Sequence, residues 1–464
     1  MKQTVTVFAL MLTSITAMAQ EAALTAAYQQ AAFKLFNEVI QSDSGNVCFS
    51  PLSAQLALSM CQNGAGGRTL EQMRQALGMT GFSQEQVNQF NQQLTNKLTT
   101  RPEFHAEYYD WMTEEEALTY HNALYPQCEL ANALWYRPDI TVHPSFSDVL
   151  RTYYQAGIDP VEFYTQEGID YMNKWVDEKT HGLISKIYNE PLPVDMALIL
   201  ANALYLKAAW AVPFWKELTK QDAFHRQDGS VVQTDMMSVS DPAFTLAETE
   251  RFQTVTLPYA NGFYMTVFVP MEGYELPVFT AEDWSAAMET TKKAWRVEKK
   301  TGVNLKFPKF EIEGNYNLIP TLMSLGMTDA FTLAADFSGM CDRDVFISAV
   351  TQLDKIKVDE EGTEAAAVTV IEMTEIGVVE VEKVVDFFVD QPFYFTIEHI
   401  DTGTLLFMGK LTDPTGSQSR EVTSIGTIRQ PATDTPIYDL CGRRLQQIPE
   451  KGIYIHGGKK LIRW

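Results

Sequence analysis

Five cysteines in 464 residues, at 48, 61, 128, 341 and 441, match neither a metal cluster nor the disulfide framework of a small secreted scaffold. Their odd number leaves at least one thiol unpaired within a molecule, and no disulfide is assigned. Cys48 and Cys61 lie among apolar neighbours, where a small hydrophobic thiol belongs in a core. Positive charge is also short. Lys and Arg number 36 against 59 Asp and Glu, a net of −23, whereas phosphate backbones and anionic polysaccharides need clustered cations. No nucleic-acid partner is expected. Past the first residues no stretch approaches the about 18 uninterrupted apolar residues of a membrane-spanning helix, so no membrane span is expected. Catalytic signatures are missing as well: there is no G-x-S-x-G, H-E-x-x-H or C-x-x-C. The seven histidines stand singly at 105, 121, 143, 181, 225, 399 and 456. Gly64-Ala65-Gly66-Gly67 follows a helical pattern and lacks the Lys-Ser/Thr ending of a phosphate loop, so it reads as a turn between helices. The chain is expected to be no enzyme and to need no cofactor and no metal.

What is present is an ordinary globular composition, 45% apolar and 20% charged, with no long Pro/Gly/Ser-rich linker before residue 414. One large body is expected rather than several domains. Residues 1–19 combine Lys2, an apolar stretch from Val5 to Ile15 and Ala17-Met18-Ala19, the three parts of a secretory signal, which puts the start of the mature chain at Gln20. No Cys follows the cut, which argues against a lipid anchor. Residues 415–436 form a polar linker, and 437–464 alternate apolar residues around Gly442, Gly452 and Gly457-Gly458, predicting two or three short strands. That tail is similar to the β-rich endings of secreted proteins of Gram-negative bacteria, some of which act as sorting or attachment signals. Periodicity predicts helices first, around Phe33, Phe36 and Ile40, around Leu56 and Met60, and from Leu70 to Leu77. Alternation predicts strands at 255–257, 264–269, 303–307 and 394–397, an α+β body. Residues 101–121 set Glu103, Glu107, Asp110, Glu114, Glu115 and Glu116 among Phe104, Tyr108, Tyr109 and Trp111, and read as a surface insertion packed on itself.

The most informative segment is 359–377, D-E-E-G-T-E-A-A-A-V-T-V-I-E-M-T-E-I-G. As a strand it would place Thr363, Ala365, Ala367, Thr369, Ile371 and Met373 on one uncharged face, with Glu364 and Glu372 on the other. Gly362 supplies hinge freedom, and Ala365, Ala366 and Ala367 are small enough to slide between strands. E-E-G-T-E-A-A-A resembles the reactive-loop hinge of the serpins, the serine-protease inhibitor family. Further serpin-like landmarks are N-V-C-F-S-P-L-S at 46–53, N-K-W-V-D-E-K-T-H-G at 173–182 and L-A-N-A-L-Y-L-K-A-A-W-A-V-P-F at 200–214. Q-P-F-Y-F-T-I at 391–397 and T-G-T-L-L-F-M-G-K-L-T-D-P at 402–414 complete the series in the family's order.

The resemblance implies a serpin domain over 20–414, with helices packed around a large central mixed β-sheet and smaller sheets and with an exposed reactive loop. It implies a secreted, monomeric suicide inhibitor of serine proteases that traps the acyl-enzyme when the cleaved loop inserts into the central sheet. Family spacing puts the reactive bond at Ile376-Gly377, with Met373, Glu375 and Lys383 as alternative bait positions. A β-branched aliphatic bait suits elastase-like or subtilisin-like enzymes. The implied hinge comprises Glu360, Gly362, Thr363, Glu364, Ala365, Ala366, Ala367, Val368 and Thr369. Asn46, Ser50, Ser53 and Asn202 match the family's polar cluster beneath the central strands, Gln352 stands where its histidine usually does, and Trp210 matches the tryptophan under the point of loop insertion. An acidic 101–121 implies that heparin binding is absent. The exported protein is expected outside the cell, surface-attached or in the periplasm. The alternative reading is a non-inhibitory serpin acting as carrier, chaperone or surface-binding protein.

Overall fold

A computed structural model describes residues 2–194, 196–241, 244–273, 275–294, 300–364 and 381–416, together with short strands within 437–463. Two compact units result, residues 1–420 and 421–464. The smaller unit is a four-stranded antiparallel sheet built from Ile437–Tyr438, Arg444–Leu445, Gly452–His456 and Lys459–Arg463.

In the larger unit the N-terminal helices α1 (Lys2–Ser42), α2 (Pro51–Gln62), α3 (Gly67–Ala76) and α4 (Gln84–Thr99) match the expected helical half. Ser50 caps α2, its hydroxyl accepting the Ser53 N–H at 3.2 Å, and Pro51 fits the first turn, where its missing N–H costs nothing. Every residue of α2 is buried, the mark of a helix enclosed on all sides. The Gly64–Gly67 stretch is the turn from α2 to α3, as the sequence suggested.

The expected strands are present, and three sheets carry the fold. The central one has six strands: β1 (Gln127–Tyr136), β2 (Gly157–Pro160), β3 (Leu198–Ala209), β4 (Phe310–Asn317), β5 (Ala349–Val358) and β6 (Gly362–Thr363), in spatial order β4-β5-β6-β3-β1-β2. A second six-stranded sheet contains Phe252–Pro258, Phe263–Pro270, Phe393–His399 and Thr404–Leu411. The third has four strands, with Val381–Phe388 running parallel to Lys300–Pro308 at its edge. Inside the second sheet and its helices Phe279 is fully buried, with ring centroids 5.1 Å from Phe33, 4.7 Å from Phe268 and 5.0 Å from Tyr394.

The insertion after α4 forms a helical turn at Ala106–Tyr109 and helix α5 (Glu114–Leu124), capped by reciprocal bonds between Thr113 and Glu116. Among the described residues no helix is long and apolar enough to cross a membrane.

Phe279→Ala deletes the common neighbour of five aromatic rings, Phe33, Phe36, Phe252, Phe268 and Tyr394, and leaves a cavity. We expect a loss of roughly 3–5 kcal/mol in urea-unfolding stability; a loss under about 1 kcal/mol would show that this cluster does not anchor the body.

Candidate functional site

Strands β3 and β5 are parallel neighbours, yet they pair only at one end, Ala349 with Ile199 and Val350 with Leu200. At the opposite end β6 is wedged between them. Gly362 sits opposite Ala209, and Thr363 opposite both Ala208 and Val358, antiparallel to each neighbour. Between these two ends no ladder joins Thr351–Lys357 to Ala201–Lys207 among the described residues. The sheet therefore holds a slot whose mouth is closed by two hinge residues.

The mouth explains the residue types the hinge carries. A Cβ on Gly362 would lie 2.1 Å from the Ala208 carbonyl oxygen, so only glycine permits this approach. Thr363 is buried and shares a hydrogen bond with the Tyr259 hydroxyl. Tyr259 in turn stacks on Trp210, with centroids 4.1 Å apart and planes 8° from parallel. Trp210 fastens the turn before the wedge: its indole N–H donates to the Asp359 carbonyl at 2.9 Å and its backbone N–H to that of Glu361 at 2.9 Å. Trp210 therefore packs against the turn that leads into β6.

Glu360 is buried, with Lys309 at 2.8 Å from one carboxylate oxygen and the Thr219 hydroxyl donating to the other at 2.8 Å. Burial pushes its pKa up, but Lys309, its own backbone N–H and Thr219 together outweigh that and hold it below the ordinary value. Glu361 forms an ion pair with Lys216. Glu364 donates its backbone N–H to the Lys357 carbonyl at 2.9 Å and has a φ of +47°, a left-handed conformation costly for a side chain with a Cβ. Burial raises the Glu364 pKa, against the opposing pull of Tyr205, Lys207, His181 and Lys355.

Beneath the slot the structure brings together only part of the predicted polar cluster. Gln352 donates to the Ser50 carbonyl at 2.7 Å, and Ser50 and Ser53 meet in the α2 cap. Asn46 instead clamps the end of the body, donating to the Asp413 carbonyl at 2.6 Å and accepting from the Thr412 N–H at 2.8 Å. Asn202 donates to Asn132 at 2.6 Å, and Asn132 to the Tyr154 carbonyl at 3.0 Å, a link across β3, β1 and helix Pro144–Tyr154. The residue that sequence reasoning missed is Asp354. It is buried on the face of β5 shared with Gln352, where the Ser50 N–H (3.1 Å) and the Gln352 amide (2.7 Å) both donate to one carboxylate oxygen. The signal was available: in a strand alternating Val350, Gln352, Asp354, Ile356 and Val358, an acid on the inward face demands a reason. Burial, only partly offset by those two donors, pushes the Asp354 pKa up to about 7.

Residues 365–380 lie outside the described residues, and with them Ala365, Ala366, Ala367, Val368, Thr369, Met373, Glu375 and the Ile376-Gly377 bond. Lys383 is described: it is exposed and sits in strand Val381–Phe388, paired with Thr301, so a protease would have to peel that strand away to reach it. Among the described residues no cluster of His, Cys, Asp and Glu could hold a metal ion. The four described cysteines, 48, 61, 128 and 341, are free and buried.

Residues 26–414 match the sequence model of a family described as serpin, serine protease inhibitor. Among curated proteins the chain is 33% identical to Serpin-ZXA of Oryza sativa subsp. japonica, over 80% of this chain and 90% of that one. It is 30% identical to serine proteinase inhibitor 2 of Monkeypox virus, over 82% of this chain and 99% of that one. Among solved structures it is similar to the thermophilic serpin tengpin in its native state, with a TM-score of 0.69 and 29% identity over 83% of this chain and 94% of that one. Human kallistatin gives a TM-score of 0.71 at 25% identity, covering 85% of this chain and 99% of the other.

The raised pKa of Asp354 has a definite sign. The folded state holds the proton more tightly than the unfolded chain, whose ordinary value is 3.8, so this site contributes most below pH 3.8 and its contribution is lost as pH rises toward about 7. Asp354→Asn should therefore be neutral at pH 4 and stabilising by roughly 2–4 kcal/mol at pH 8 in urea unfolding. A variant less stable than the parent at pH 8 would show that the buried charge is favourably held.

Proposed function

Because this chain belongs to the serpin family, we propose that it is an inhibitory serpin, a secreted suicide inhibitor that presents Ile376-Gly377 to elastase-like or subtilisin-like serine proteases. The observation that carries this reading is the slot between β3 and β5, whose mouth Gly362 and Thr363 already occupy. Seven further steps along the ribbon in the same antiparallel register bring Val370 opposite Thr351 and Ala201, the far end of the unpaired stretch. The face that follows Thr363 inward would then carry Ala365, Ala367 and Thr369, so no charge is driven beneath the sheet.

The chemistry belongs to the protease. Its serine oxygen attacks the Ile376 carbonyl, the Ile376-Gly377 bond breaks, the Gly377 amine leaves with a proton, and Ile376 remains esterified to the enzyme. With its tether cut, the ribbon adds a strand, forming backbone hydrogen bonds worth ~1 kcal/mol each and burying apolar side chains. The attached enzyme is carried along, and displacement of its catalytic groups by about 1 Å slows deacylation roughly a hundredfold. This chain supplies the bait, the hinge and the slot. Export directed by residues 1–19 and a sorting or attachment role for 437–464 belong to the same proposal.

Incubation with an elastase-like or subtilisin-like protease should yield a complex that survives SDS. Thr363 is buried against Tyr259, and Thr363→Arg would drive a guanidinium into that site without a counter-charge, so the variant should be cleaved as a substrate with the stable complex lost. A Thr363→Arg variant that traps protease as well as the parent sinks the insertion mechanism. Mass spectrometry of the fragment released on complex formation should begin at Gly377; a first residue outside 374–378 would overturn the bait assignment.

A further inference from the structure

Residues 101–125 contain six acids, one arginine and no lysine. They are locked by a core of their own. Tyr109 stacks on Phe104 at 6.0 Å and meets Tyr120 edge-on at 5.8 Å, while its hydroxyl donates to His121 Nδ1 at 3.1 Å and His121 Nε2–H donates to the Pro102 carbonyl at 3.1 Å. That core consumes the other aromatic side chains and leaves two facing water: Tyr108 is 67% and Trp111 68% exposed. An indole and a phenol held out by a rigid support are the side chains that most often anchor protein interfaces. Two of the acids have local duties, Glu116 in the α5 cap and Glu107 beside His105 at 3.3 Å. Glu103, Asp110, Glu114 and Glu115 are exposed and have no ion-pair partner among the described residues.

The surface stands at the working pole of the molecule. Asn261, in the turn beyond Tyr259, donates its side-chain amide to the Leu124 carbonyl at the end of α5. β1 then begins at Gln127 opposite Lys207, two residues short of Ala209, which faces Gly362. The insertion thus leaves the sheet at the end where the hinge enters it.

We infer that the 101–125 insertion is a docking surface for the target protease itself, fitted to an enzyme face on which Lys and Arg surround a shallow apolar patch. This rests on the inhibitory reading above and names the partner chemistry that reading leaves open. The acids steer a cationic enzyme onto the loop and repel acidic proteases, and Tyr108 and Trp111 hold it while the ribbon is offered.

The test uses the full chain and two variants, Tyr108→Ser with Trp111→Ser, and Asp110→Asn with Glu114→Gln and Glu115→Gln. Each is paired with a cationic and an acidic elastase- or subtilisin-like protease at about 50 and about 500 mM salt. With the cationic enzyme at low salt the charge variant should form the SDS-stable complex about tenfold more slowly than the parent, and high salt should erase the difference. The aromatic variant should release a catalytic-serine-to-alanine form of that enzyme about tenfold faster. Stoichiometry and cleavage position should not move; at low salt the acidic enzyme should form its complex faster with the charge variant than with the parent, and it should not distinguish the aromatic variant from the parent. If both variants keep the parent's thermal transition and stay within about twofold of it in rate and release, the docking surface is overturned. Failure to trap any protease would defeat the inhibitory reading alone, because binding of the serine-to-alanine enzyme still reads the surface.

Discussion

A β-sheet is complete when each interior strand is paired along both edges, and among the described residues the central sheet of this protein is not. β3 and β5 meet at one end, β6 separates them at the other, and among the described residues no ladder fills the stretch between. The rest of the active pole follows from keeping that gap open yet stable. Glycine is required at 362 because the Ala208 carbonyl occupies the space of a side chain. Tyr259, Trp210, Glu360 and Lys309 each hold the ribbon at the mouth, so it neither slips out nor runs further in. Glu364, the last described residue of the ribbon, carries a positive φ.

Electrostatics acts on the same gap from two sides. At the mouth Glu360 is buried but compensated by a lysine, and its charge is kept. Under the slot Asp354 is buried with two neutral donors, and its charge is disfavoured near neutrality. The first acid ties a β-turn to β4 and the third sheet; the second ties β5 to the cap of α2. A compensated acid makes a latch insensitive to pH near neutrality, whereas an uncompensated one makes the junction of sheet and helix dependent on proton concentration. Gln352 carries no titratable group, and Asp354, two residues on and bonded to it, supplies the one in this cluster.

Much of the fold was legible because local pattern and burial agree. The α2 sequence, its Ser50 cap and Pro51 announce an enclosed helix, and the strands at 264–269 and 394–397 are short aromatic and β-branched runs buried on both faces. The small, uncharged character of Gly362, Thr363 and the alanines after them was also legible in the sequence, and the structure pairs the first two within the central sheet. It did less well where a residue's role depends on what lies across from it. Asn46 and Asn202 were grouped with Ser50 and Ser53, yet one clamps Thr412 and Asp413 and the other reaches Asn132. Lys383 stands in an edge strand parallel to Lys300–Pro308, a long-range pairing with no local signature.

The sequence by itself determined the family, the α+β body and the chemical character of the ribbon, because these rest on side-chain size, charge and period along the chain. Only the tertiary structure decided that two residues of the ribbon are already paired, how long a slot lies below them, and that Asp354 sits buried beneath it. Those properties depend on the register of β5 and β6 against β3, which is fixed by contacts between segments more than a hundred residues apart.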